Sequence, residues 1–594
     1  MERLRPAISA LAILAAAFLI PGEPLPVGAQ SPDLCATAAT ASNATASAQL
    51  VSETPGKPHQ HSAPKYRDAL WAHRARPAIS RAAAAAGRTY DSGEIAIVED
   101  AGDLLIRPHP YDLSDSGLRF SPNAAGGYDV ARVTYGFRQP LGSALALDDD
   151  DGREEALGFA FTFFGNRYDR VFVNSDGNVT FDERDVASSE RSVTRLLTGA
   201  PRIAPLFADL NPAAGGRVLI SSSVAAYTVT WCAVPEYGTQ RAATTQVTVL
   251  PTGVIEIQSS GQTTVADAIV GISPGRDAAF APIDLSAAGV AGDAGQAIGE
   301  RFTTRSELDT VSTLRRFFGV FPDEFDNVVM FTDSSVLTGG TFAYELTVAN
   351  DIQGLNIELF DASEEWGSLG ALQSLVMMDR LGKYPDDPRQ IFLGTNSTLS
   401  VLGQEFGHRW AAFLTFRDAG GRESRQLLGR DDAHWSFFFD SDASVMEGND
   451  IQDLGDGRFR TVAATTRYSL LDHYAMGLID RAGVPPLFVV ENPTDVTPPR
   501  GPSSEPEVGV TFSGARRDLT IDDIIASAGA RVPSAAESKR AYRQGFMYIT
   551  SPGRGLTAAE VDKVDRIRVA WDQFLSAATD SRMIVDTRLR AGTR

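Results

Sequence analysis

From residue 91 to about 276, apolar side chains recur at every second position, a period that restricts this stretch to β-strands. Leu157-Gly158-Phe159-Ala160-Phe161-Thr162-Phe163 alternates large apolar residues with small or polar ones, as a strand with one buried face must. Val171-Phe172-Val173-Asn174 and Val179-Thr180-Phe181 flank Ser175-Asp176-Gly177-Asn178, and Gln246–Leu250 and Val254–Ile257 flank Pro251-Thr252-Gly253. Each reads as a hairpin. Short strands separated by regular turn signals predict a β-sandwich over 91–276. The acidic run Asp148-Asp149-Asp150-Asp151-Gly152 reads as a solvated turn, because no calcium-loop ligand spacing follows it.

Composition marks the boundaries around this stretch. Arg3 and Arg5 precede an apolar stretch from Ile8 to Ile20, and Val27-Gly28-Ala29 supplies small residues, so 1–29 reads as a signal peptide. No other apolar run approaches the ~20 residues of a membrane-spanning helix. The mature protein is therefore expected to be secreted, periplasmic or extracellular, without stable membrane insertion. Residues 30–90 are rich in Ala, Ser, Thr, Pro and Gln and read as a disordered linker, with His59, His61 and His73 solvated in it. Residues 277–310, rich in Ala, Gly and Asp, read as a second linker. In 311–594, Val328–Phe331 and Phe342–Val348 read as strands, and Leu369–Leu381 and Leu399–Phe416 as helices.

The net charge is −21, and no basic stripe stands out beyond the leader, which argues against nucleic acid or an anionic membrane as partner. With two cysteines in 594 residues, chain length rather than cross-linking must supply the core. Cys35 lies in low-complexity sequence and Cys232 in a strand-like run. A bridge between them is open, and the expectation is that Cys232 is a small core residue.

Residues 404–410 read Gln404-Glu405-Phe406-Gly407-His408-Arg409-Trp410. Residues four apart share one face of a helix, so Gln404 and His408 aim at one spot with Glu405 beside it. In the pattern H-E-x-x-H this spacing lets two imidazoles hold one zinc ion while the glutamate acts as general base. Here Gln404 replaces the first imidazole with a neutral amide, a poorer donor to zinc. Of seven histidines, His408, His434 and His473 cluster between 408 and 473, which favours a metal site. Ala411 and Leu414 stand where H-E-x-x-H-x-x-G-x-x-H needs glycine and histidine, so a further metal ligand is expected from a later element. Asp472, in the helix read over Tyr468–Gly477, is the first choice, His434 the second and Glu447 the third. Asp472 could alternatively orient His408 as a hydrogen-bond acceptor. Tyr474 is a candidate to stabilise a tetrahedral oxyanion, with ordinary packing as the competing reading.

Two resemblances add to this. Phe163-Phe164-Gly165, Asn174–Asn178, Ile203–Asp209 and Val270-Gly271-Ile272 resemble the nidogen-like extracellular domain and its bacterial relatives. That implies an adhesive module contacting extracellular protein or carbohydrate. Gly403–Trp410, together with Leu471–Gly477, resembles exported bacterial zincin-like metallopeptidases, whose motif reads His-Glu-Phe-Gly-His-Arg-Trp. This implies a zinc endopeptidase acting on protein or peptide, with Glu405 as general base, His408 as ligand and an edge strand lining the cleft. The expected fold class is α+β multidomain, an N-terminal β-sandwich followed by a zincin-like α+β metallopeptidase domain over 311–594. The expected function is peptide-bond hydrolysis by metal-activated water, impaired by Gln404. The alternative is an inactive pseudopeptidase acting as an extracellular binding or adhesion protein.

Overall fold

The computed structural model describes Cys35, Tyr66–Ala75 and residues 87–590 except 188–190, 288 and 338–341. The expected signal peptide, His59 and His61 lie outside the described residues. The chain separates into Met1–Leu50 and Val51–Arg594, and the architecture below belongs to the second unit. It is mixed α+β and dominated by strands.

The period-two stretch forms two sheets whose inner faces meet. One has eight strands, with Ser116–Pro122, Ile255–Ser259, Ala242–Val249 and Tyr227–Pro235 at its centre. The other has seven and includes Gly152–Phe163, Asn166–Asn174, Arg202–Phe207, Asp267–Ser273 and Gln296–Thr303. Phe120, Val229, Trp231, Val247 and Ile257 from the first pack on Phe161, Val173, Ile203, Val270 and Phe302 from the second. Each large side chain buried in this way stabilises the fold by roughly 1.5–3 kcal/mol. The hairpin at 175–178 forms, with Asn174 opposite Asn178. Gly177 turns it at φ +65°, where a Cβ would lie 2.1 Å from the Leu206 carbonyl oxygen.

Several boundaries differ from the expectation. The stretch 277–310 is not a linker: Ala279–Pro282, Val290–Ala291 and Gln296–Thr303 are sandwich strands. Ile298 and Phe302 are buried there, but small residues around them hide the period. The acidic turn is not simply solvated either. Asp150 is buried against Arg191 at 2.6 Å, and the same guanidinium holds Asp176 at 2.8 Å. Nearby, Asp185 pairs with Arg195 at 2.6 Å and with the fully buried Arg202 at 2.5 Å. Both cysteines, Cys35 and Cys232, are disulfide-bonded, and Cys232 is buried as a core residue.

Thr89–Ser92 and Ile95–Glu99, expected in the linker and sandwich, instead join the C-terminal sheet. Its order runs Thr89–Ser92, Ile95–Glu99, Ala541–Thr550, Asn327–Thr332, Ser374–Arg380, Tyr344–Thr347. The pairings from Ile95–Glu99 to Ser374–Arg380 are parallel, and Tyr344–Thr347 is an antiparallel edge. Alternate residues serve two cores. Ile97, Val329, Phe331, Val376, Met378 and Phe546 face the helices Thr398–Gly407 and Ala558–Ala578. Val98, Val328, Met330, Leu375, Met377 and Met547 face the helix Thr310–Phe318. This two-sided burial corrects the helix expected over 369–381. Ser374–Arg380 is a central strand, and a strand buried on both faces reads as an unbroken apolar run.

Within 30–90, Tyr66–Ala75 is a helix with Leu70 and Trp71 buried. Its His73 Nδ1 lies 3.0 Å from Asp309, which also caps the Thr310–Phe318 helix by accepting from the Ser312 N–H at 2.9 Å. Burial pushes the Asp309 carboxyl up, but the hydrogen bonds from His73 and Ser312 outweigh it and hold the group down at about 2, against an ordinary 3.8. A carboxylate depressed by folding contributes stability that is complete above the unfolded value and lost as pH falls through the folded one. Between about pH 5 and 2, the wild type should therefore lose on the order of 2 kcal/mol that Asp309→Asn does not lose. Urea midpoints measured across that range check this; parallel losses in the two proteins would contradict it.

Candidate functional site

The motif helix, Thr398–Gly407, begins with a capping box. Ser397 Oγ accepts from the Ser400 N–H at 3.2 Å, and Ser400 Oγ accepts from the Ser397 N–H at 2.8 Å. Every residue in the helix is buried, and it packs under the Ser374–Arg380 strand and against Ala558–Ala578. Within the motif, Phe406 sets its ring 5.2 Å from Trp410 and 5.7 Å from Trp571. Arg409 is buried and donates to Asn350 at 2.9 Å. Gly407 is needed for close approach, since a Cβ there would lie 2.4 Å from Met446 Sδ and 2.9 Å from Tyr468 Cε1.

The helix stops at Gly407, with His408 as its C-cap, rather than continuing to Phe416. Trp410, Ala411, Ala412 and Leu414 are buried in a turn, and Phe416–Arg417 is a short strand, so apolar residues alone carried the helical reading too far. The turn lets the Ala411 carbonyl fold back onto His408 Nδ1 at 3.1 Å.

Gln404, His408 and His434 come together. The two imidazole rings lie 4.9 Å apart and perpendicular, and Gln404 Nε2 is 2.9 Å from His434 Nε2. His434 Nδ1 donates to the Arg430 carbonyl at 2.7 Å, so its Nε2 is the acceptor nitrogen. Gln404 therefore donates to it. The Arg430 guanidinium approaches the same nitrogen at 3.3 Å and pairs with Glu447 through Nε–Oε2 at 3.1 Å and a second, shorter contact. Glu405 is buried beside them, close enough that its charge acts on Arg430 and on the Tyr384 hydroxyl. Burial, and then the neighbouring His434, push His408 well below the ordinary imidazole range, which favours its neutral form.

The other two expected residues have different tasks. Asp472 is fully buried. Its Oδ1 accepts from the Trp435 indole at 2.9 Å, and its Oδ2 accepts from the Ser444 hydroxyl at 2.6 Å and the Ser469 N–H at 2.7 Å. These donors make Asp472 the partner of Ser469, the N-cap of the Leu470–Ala475 helix, in a capping box, and tie it to the loop carrying Ser444. The Tyr474 hydroxyl accepts from the Arg531 N–H at 3.1 Å, which is a packing role. His473 Nε2 faces the Ala578 carbonyl at 3.4 Å. Arg430 was missed altogether, and an arginine four residues before a histidine carries no signal of its own.

This geometry tests the zinc that the motif implies. Two imidazoles on one tetrahedral ion at Zn–N of about 2.0–2.1 Å place their centroids about 5 Å apart. The His408–His434 spacing meets that condition, and a backbone carbonyl pins each Nδ1. The rest of the set does not fit. Gln404 offers an N–H donor instead of a lone pair, and a guanidinium stands beside the His434 acceptor. Among the described residues, His109, Asp112 and Glu300 are the three metal-capable side chains whose ligand atoms lie within 4.8 Å of one another. They sit at the sandwich, where the Glu300 oxygens already meet His109 at 2.8 Å and the Leu285 N–H at 2.8 Å.

No curated protein and no solved structure matches this chain. Residues 127–295 match the family described as NIDO related, so the chain carries a nidogen-related β-domain there.

Proposed function

We propose that this is an exported protein with a nidogen-related domain and a degenerate zinc-peptidase-type domain, which holds polypeptide in its cleft and cleaves it poorly or not at all. The observation that carries this reading is the 2.9 Å hydrogen bond from Gln404 to His434, which occupies the acceptor nitrogen a metal would require. Among the described residues the edge strand Tyr344–Thr347 pairs on one side only, with Ser374–Arg380. Its other edge offers backbone groups to an extended peptide, near the motif helix. Disulfide-bonded cysteines suit an oxidising compartment, in keeping with the leader. No described helix is long and apolar enough to cross a membrane.

The test uses purified mature protein and fluorescently labelled, denatured casein as an unfolded polypeptide. The expected result is binding that survives a metal chelator, with the casein recovered intact. Chelator-sensitive cleavage by the wild type would overturn the proposal.

A further inference from the structure

We infer that His109, Asp112 and Glu300 form a divalent-metal site of the manganese and zinc class, which staples the segment entering the sandwich to the Gln296–Thr303 strand. It uses none of the residues of the Gln404/His408/His434 group and lies outside the residues matched to the family. One ligand atom from each of the three side chains lies within 4.8 Å of the other two. Donors about 2.0–2.2 Å from one ion are at most about 4.4 Å apart, and rotation of the exposed Asp112 covers the difference. One imidazole nitrogen with two carboxylate oxygens suits Mn2+ or Zn2+, with water completing the shell. The ion takes the Nε2 lone pair, so the imidazole proton moves to Nδ1.

Charge and support both favour an ion here. Elsewhere in the sandwich buried carboxylates meet arginines, as Asp176 meets Arg191 and Asp185 meets Arg202. The buried Glu300 instead has His109 as its ion-pair partner, at 2.8 Å. Burial first raises the Glu300 carboxyl, and the Asp112 charge adds to the rise, a repulsion that a shared cation removes. Asp112 has no hydrogen bond or ion pair of its own among the described residues. The other two donors are held in place. Pro108 and Pro110 fix the backbone on either side of His109. The His109 N–H donates to the Thr303 carbonyl at 2.9 Å, and its carbonyl accepts from the Thr303 N–H at 2.8 Å. The imidazole stacks on the buried Phe302 ring at 5.1 Å. Glu300 Oε2 accepts from the Leu285 N–H at 2.8 Å, which leaves Oε1 turned to His109.

Titration of the dialysed, full mature protein with Mn2+, followed by the EPR signal of the free ion and by thermal unfolding, tests this. Dialysis empties the site, because Asp112 is exposed and three protein donors leave the ion in exchange with water. Wild type should bind one Mn2+ and melt at a higher temperature with it. Asp112→Asn, an exposed change that leaves the core intact, should weaken Mn2+ binding at least about tenfold and lose that rise in melting temperature. Glu300→Gln, which keeps an acceptor for the Leu285 N–H, should do the same. Zn2+ should displace Mn2+ from the wild type. No Mn2+ binding by the wild type up to millimolar concentration would overturn the inference, as would wild-type affinity in both variants. Loss of binding in His408→Ala with retention in Glu300→Gln would place the ion at the motif helix and overturn it too.

Discussion

Asp472→Ala should destabilise the protein by on the order of 3–5 kcal/mol, because it strands three buried donors at once. The Trp435 indole, the Ser444 hydroxyl and the Ser469 N–H all converge on this carboxylate, which has no exposed surface. Burial pushes its pKa up, and these hydrogen bonds pull the other way. Ser444→Ala removes one donor together with its need for a partner, so it should cost only about 1 kcal/mol. Urea denaturation measures both. An unchanged midpoint in Asp472→Ala, together with a drop in bound metal, would return the residue to the ligand role first expected of it.

A loss of similar size is expected from Asp185→Ala in the nidogen-related domain. Asp185 is the carboxylate shared by Arg195 and Arg202, and Arg202 also donates to Asn178 at 3.0 Å and lies over the Phe207 ring at 4.4 Å. Burial opposes the Asp185 charge, but the two arginines outweigh it and hold its carboxyl below the ordinary range. Removing it leaves two buried guanidiniums without that partner, which typically costs about 3–5 kcal/mol. Thermal unfolding and protease sensitivity within the sandwich report the loss. A shift below about 1 kcal/mol would mean that solvent or Asp176 replaces the lost partner.

How legible the molecule was in its sequence depended on how each element is buried. Strands with one buried face, such as Gly152–Phe163, announced themselves by alternation. Ser374–Arg380 did not, because both of its faces are apolar and periodicity cannot distinguish such a run from a buried helix. The partnership of Ile95–Glu99 with Ala541–Thr550 joins residues from opposite ends of the chain, which local pattern cannot reveal. At the site, Gln404 and His408 were legible because a helix fixes their spacing. Asp472 misled because a buried carboxylate beside apolar residues looks the same whether it serves a metal or a helix cap. The Arg430–Glu447 pair depends on two irregular turns and left no mark in the sequence.

The central claim is that Gln404 is what separates this site from a zinc site, and metal stoichiometry tests it most directly. Mature wild-type protein and Gln404→His, purified side by side with zinc supplied and then dialysed, are compared by elemental analysis. The predicted result is well below one equivalent of zinc in the wild type and a clear rise in Gln404→His, accompanied by casein hydrolysis that Glu405→Gln removes. One full equivalent in both proteins would contradict the account, because the site would then bind its metal regardless of the residue at 404.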